Sequence, residues 1–179
     1  MTGIPIHCLV CDHASTRYGC DDCRVRLARC LRDIETYTVL VLPHMVMPSR
    51  GQTGRMSPGY GSRSPARDDI IAAFDRRSGL GAGEPTTLHP DDIEDPIRYI
   101  PGFVLGIAEG LAGEREERPP ITFGGALDYI GKQLGWSATQ PWFDEFANDI
   151  VKLHRKVREL AGDRPQKPLG ECLAVTCDG

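Results

Sequence analysis

Apolar residues recur at helical spacing in five stretches of the chain, and prolines and glycines break the pattern between them. In the first stretch Val25, Leu27, Ala28, Leu31 and Ile34 alternate with Arg24, Arg26, Arg29 and Arg32. This predicts a helix starting at Asp21 or Asp22, where acids suit the positive end of the helix dipole. Thr36 to Met47 has two readings: its β-branched content suits a strand, and its continuity with the preceding pattern suits a longer helix ending near Pro43. Asp68 to Arg77 predicts a short helix with Ile70, Ile71 and Phe74 inward. Pro101 suits a first helical turn and is followed by the stripe Phe103, Val104, Ile107 and Leu111, which cannot run through Pro119-Pro120. Thr122 is placed to cap a helix through Leu127, Ile130 and Leu134 that stops at Gly135.

The last helix has the strongest pattern. Pro141 opens it, Asp144 and Glu145 lie in its first turn, and Lys152, Arg155, Lys156 and Arg158 crowd its end. Its stripe of Phe146, Ile150, Leu153, Val157 and Leu160 steps by four, three, four and three, the spacing of a helix laid against other helices. The last two helices could be taken for a helix-turn-helix, but a recognition helix meets DNA with its first residues, and Asp144 and Glu145 there would repel phosphate. A helical hairpin with Trp136, Trp142 and Phe143 as packing residues is the better reading. Ser49 to Arg67 has many Gly and Pro and no acid, which predicts a mobile loop, and Gly79 to Asp95 is a second irregular stretch.

The chain has 179 residues, enough for one domain or one domain with a small satellite. Its formal charge of −4 is unevenly spread: residues 1–80 carry eleven basic groups, all Arg, against eight acids, and residues 81–179 carry ten against seventeen. The N-terminus has no basic segment followed by an apolar run of signal-peptide length, and Val39 to Met47 is too short to span a bilayer. A reducing cytoplasm and no membrane are therefore the expectation, with which the odd cysteine number agrees.

The seven cysteines fall at the two ends of the chain. Cys8-Leu-Val-Cys11 and Cys20-Asp-Asp-Cys23 are two C-x2-C knuckles eight residues apart, and two such knuckles complete a tetrahedral four-thiolate site. Soft thiolates with no open position suit Zn2+, in a structural and not a catalytic role. An iron–sulfur cluster and redox dithiols are the competing readings. Four thiolates and Zn2+ carry −2, which lowers the working charge of residues 1–80 to about +1. His7 and His13 flank the knuckles and either substitute as ligands or are simply exposed, the second being preferred, and Cys30 reads as a small buried hydrophobe, not a fifth ligand. Cys172 and Cys177 have the spacing of half a second site: free thiols, ligands completed by a partner and the start of a truncated second zinc module are the readings, and the last is preferred. No nucleophile elbow, phosphate-binding loop, dinucleotide fingerprint or HExxH motif occurs. His44, His89 and His154 are isolated, and Asp91-Asp92 reads as a turn or helix start. Nothing here points to an enzyme.

The CxxC…CDDCRxRL pattern at Cys8 to Leu27 resembles that of a family of uncharacterised zinc-finger-like proteins from actinobacteria and their phages. The likeness extends to SPARDDIIAAFDRRS at Ser64 to Ser78, QPWFDEFANDIVKLHRKVREL at Gln140 to Leu160, and PLGEC at Pro168 to Cys172. It implies a second Cys-rich ribbon after the last helix and, in some members, a helix-turn-helix. It implies no activity.

The expected architecture is mainly α. A zinc-binding knuckle module spans 1–26, a helical-bundle domain spans 27–165 with a mobile loop at 48–67, and 166–179 begins a second, truncated Cys-rich module. The expected function is non-enzymatic and zinc-binding, nucleic-acid-associated or regulatory. Arg24, Arg26, Arg29 and Arg32 would be the phosphate contacts, supplemented by Arg50, Arg55, Arg63 and Arg67. The alternative is a protein–protein adaptor, such as a phage factor on a host complex, in which zinc only fixes the fold. Oligomeric state is left open.

Overall fold

A computed structural model describes residues 6–46, 67–79 and 97–163. The expected mobile loop, apart from Arg67, and the segment 166–179 lie outside the described residues. The architecture is mainly α, as the sequence pattern predicts. A two-stranded antiparallel ribbon opens it, β1 (Ile6–His7) pairing with β2 (Ala14–Ser15) in the register Ile6 to Ser15 and His7 to Ala14. Helix α1 spans Asp21–Thr36 and continues through a π-helical turn, Tyr37–Val41, into α2, Leu42–Val46. Two short helices follow, α3 (Asp68–Phe74) and α4 (Arg76–Gly79). The long helices α5 (Ile100–Glu114), α6 (Phe123–Ser137) and α7 (Phe143–Leu160) complete the bundle.

The ambiguity at Thr36 to Met47 resolves in favour of helix. Pro43 has no N–H to donate and its ring crowds the carbonyl one turn back, so an unbroken α-helix through it is disfavoured. The wider π-turn just before Pro43 absorbs this, with the Leu42 N–H reaching back five residues to the Tyr37 carbonyl. Thr38 occupies the turn with a buried side chain, and its hydroxyl donates to the carbonyls of Ile34 at 2.7 Å and Glu35 at 3.2 Å. The helix therefore outruns Pro43 and ends at Val46.

One core joins the elements. Leu27, Ile34, Ile100, Val104, Ile130, Phe143, Ile150, Leu153 and Val157 are all buried in it, and the predicted stripe of α7 is buried at every position. Helix α5 packs on α6, whereas α1 lies against both α6 and α7. The expected hairpin thus takes a different form: α6 and α7 contact each other less than either contacts α1, which seals the seam between them. In α3 the inward residues are Ile70 and Ala73, and the expected Ile71 is 43% exposed. Ile71, Leu42 and Phe74 line an apolar groove between α2 and α3.

Arg67, just before α3, forms a two-pronged ion pair with Asp69 and also donates to the carbonyl of Leu160 at 3.0 Å. It thereby places a cation at the negative end of α7. The same guanidinium holds the Asp69 carboxyl below the usual carboxylate range. Arg67 is a structural residue here, and not part of a mobile basic supplement.

At the start of α6, the Thr122 hydroxyl accepts the backbone N–H of Gly125 at 3.2 Å, the cap read from the sequence. Thr122→Ala should cost about 1 kcal/mol, read as a lower denaturant midpoint with unchanged slope.

Candidate metal centre

The first knuckle is built by a tight turn after β1. The Cys8 carbonyl accepts the Asp12 N–H at 2.8 Å, and the Cys8 N–H donates to the His13 carbonyl at 2.8 Å. Asp12 sits in the left-handed region at φ 59°, a conformation that Asp tolerates better than most side chains, so the chain doubles back into β2. The Leu9 N–H then reaches the Tyr18 carbonyl at 2.8 Å and brings the second knuckle alongside the first.

The second knuckle is the N-terminus of α1. Cys20 is its N-cap, with extended backbone, and its Sγ accepts the Cys23 N–H at 3.5 Å. The Cys20 N–H donates to the Cys8 Sγ at 3.3 Å. Two of the four sulfurs thus lie at the positive end of a sixteen-residue helix.

All four Sγ atoms lie within 4.8 Å of one another. Cys8 and Cys23 are 3.8 Å apart, and Cys11 and Cys20 are 3.5 Å apart. Tetrahedral coordination with metal–sulfur bonds of about 2.3 Å requires sulfur–sulfur edges of about 3.8 Å, so the cluster has the size to hold one ion. Cys8 and Cys23 are buried, and Cys11 and Cys20 form the side nearer solvent.

The electrostatics also call for a cation. Burial pushes the Cys8 thiol up, but N–H groups of Cys20, Val10 and Cys11 outweigh it and hold the pKa at about 6. At Cys23 burial, followed by the neighbouring thiols, pushes the pKa far up. At Cys11 the His13 N–H favours the thiolate, yet desolvation and Cys20 prevail and the thiol is raised. Thiolates crowded this closely cannot all ionise unless a positive charge lies among them. The residues therefore fit a structural metal ion closed off by four ligands.

Two further side chains touch the sulfurs: His13, which flanks the knuckles in sequence, and Arg26. His13 Nδ1 lies 3.3 Å from Cys11 Sγ, and Arg26 Nη2 lies 3.9 Å from Cys23 Sγ. His7 faces away, with Nδ1 3.0 Å from the Asp12 carbonyl. Cys30 is half-buried outside the cluster, and desolvation raises its thiol while Arg26 and Arg158 pull it down. Cys172 and Cys177 lie outside the described residues, as do His89, Asp91 and Asp92.

The knuckles are joined to the bundle through Gly19, whose N–H donates to the Ala138 carbonyl at 2.9 Å. A Cβ at Gly19 would lie 2.3 Å from the buried Phe143 ring. Around this joint Trp136 and Trp142 meet edge to face at 5.6 Å, and Arg115 stacks on Trp136 at 5.1 Å.

The four arginines of α1 differ. Arg24 is drawn to Asp21 at 3.2 Å, and Asp21 also takes Arg17 at 2.8 Å. Arg26, Arg29 and Arg32 are exposed, on the side of the helix away from Leu27, Leu31 and Ile34. Acids share the helix: Asp22 is exposed, and Asp33 reaches His154 of α7 at 3.1 Å. Arg50, Arg55 and Arg63 lie outside the described residues.

Among the described residues no helix is long and apolar enough to cross a membrane. No family model, no curated protein and no solved structure matches the chain.

Proposed function

We propose that the protein is a non-enzymatic binding module in which Zn2+, held by Cys8, Cys11, Cys20 and Cys23, orders the helix that contacts nucleic acid. Zinc is the natural occupant of a closed set of four soft thiolates, and a reducing cytoplasm would keep those thiols available. The observation that carries the reading is where α1 begins. Its N-cap and first turn supply two of the four ligands, and the same helix presents Arg26, Arg29 and Arg32 to solvent. Metal loading would therefore fix the spacing of three guanidiniums suited to paired contacts with phosphate oxygens. Arg24, already held by Asp21, contributes less.

The test is a salt series on the zinc-loaded protein with a labelled 20-base-pair duplex and the corresponding single strand. Affinity should fall steeply with salt. Charge removal at all three positions, Arg26→Gln with Arg29→Gln and Arg32→Gln, should flatten the log–log slope by about 3 on duplex. Absence of binding to either probe at low salt overturns the reading. The protein–protein adaptor is the second reading, favoured by a groove between α5 and α7 in which apolar walls meet Glu114 and Glu145, which have no ion-pair partner among the described residues.

A further inference from the structure

Helix α5 has glycines for which the described residues give no reason. A glycine in a helix interior is destabilising relative to alanine and persists where something needs close access to the backbone. Gly102 has such a reason, since a Cβ there would lie 2.4 Å from the Tyr99 ring. Gly106 and Gly110 do not: a Cβ at either would meet nothing within 4 Å among the described residues. One turn apart on an exposed face, they floor a groove of 320 Å³ between α5 and α7. Ile107, Trp142 and Phe146 form its apolar walls.

The rim of this groove is acidic. Glu114 stands at its α5 side, and Glu145 and Asp149 stand at its α7 side. Asp149 meets Lys152 at 3.8 Å, whereas Glu114 and Glu145 have no ion-pair partner among the described residues. An apolar trough with a backbone-deep floor admits a helix at close range, because small residues let two helix axes approach. Its rim selects positive charge. A second copy presenting the same face would set these carboxylates against each other.

From the open floor, the apolar walls and the unpaired acids together, we infer that the α5–α7 groove docks an amphipathic helix of a protein partner, with small residues on the buried face and Lys or Arg at its flanks. The inference rests on the adaptor reading and uses none of the α1 arginines.

The experiment uses the full zinc-loaded chain and a helical probe peptide of repeated Lys-Ala-Ala-Leu-Lys-Ala-Ala, with a Glu-for-Lys version as control. Titration is followed by tryptophan fluorescence, since Trp142 lines the groove. The lysine peptide should bind, and the glutamate peptide should not. Gly106→Leu with Gly110→Leu fills the floor where a Cβ meets nothing among the described residues, so it should leave Tm unchanged or higher while weakening binding at least tenfold. Glu114→Lys with Glu145→Lys should weaken it similarly. Without any peptide, Gly106→Ala with Gly110→Ala should raise Tm, and a fall would show that the chain itself needs those glycines, which overturns the premise.

Failure of the lysine peptide to bind the unaltered protein overturns the proposal. Binding that survives the glycine substitutions but is lost on charge reversal overturns the groove while leaving the adaptor reading standing. Concentration-dependent self-association abolished by the leucine variant overturns the partner assignment in favour of a second copy.

Discussion

Stripping the proposed zinc with a strong chelator should lower the melting temperature of the whole protein by roughly 20 °C or more, not merely loosen its N-terminus. Structural zinc contributes about 10–16 kcal/mol of apparent binding energy, and an entire domain of ordinary stability has only about 5–15 kcal/mol in hand. The loss would spread because Cys8 and Cys23 are buried in the same core as Leu27, Leu31 and Ile34 of α1. That helix is the element lying against both α6 and α7. Without the cation, the high pKa of Cys23 and the raised pKa of Cys11 describe thiols that resist sharing the site as thiolates, and the helix start loses its anchor. Near-ultraviolet circular dichroism and a thermal melt, before and after chelation, measure the effect. Re-addition of one equivalent of Zn2+ should restore it. Identical melting of stripped and loaded protein would overturn a structural role for the ion.

What could be read along the chain and what could not follows a physical division. The knuckles were legible because a C-x2-C loop is short enough for covalent geometry alone to bring its two sulfurs to one ion. The stripe from Phe146 to Leu160 was legible because a period of 3.6 is a local property, and Thr122 because a cap bonds only three residues onward. Contacts between distant segments leave no such trace. Arg67 finds the end of α7 ninety-three residues away, and nothing in the spacing around Arg67 marks that partner. The helical-hairpin expectation for α6 and α7 missed the role of α1, since a burial stripe says that a face is covered but not by which neighbour. At Pro43 the sequence alone left helix and strand both standing, because a π-turn shifts the register that periodicity reads. Ile71 misled for a related reason: in a helix of seven residues one face is barely defined.

Gly19→Ala should cost about 1–3 kcal/mol although it adds a single methyl group. The backbone at Gly19 does not lie in the left-handed region, so the penalty comes from crowding and not from backbone strain. The added carbon would fall 2.3 Å from one ring carbon of Phe143 and 2.6 Å from another. A flexible surface ring could turn aside, but Phe143 is fully buried in the core and meets the Phe146 ring at 6.2 Å, so either the ring or the knuckle must shift. A displaced knuckle would also strain the Gly19 N–H bond to Ala138, and Cys20 is the very next residue. The substitution should therefore weaken metal retention in competition with a chromophoric chelator as well as lower stability. Phe143→Leu, alone a cavity-forming change, should partly rescue Gly19→Ala, giving a coupling of about 0.5–3 kcal/mol in a double-mutant cycle. Strict additivity of the two changes would mean that the metal knuckle and the helical bundle fold as independent units. Coupling in both stability and metal retention would mean that the ion and the aromatic core hold the same joint from its two sides.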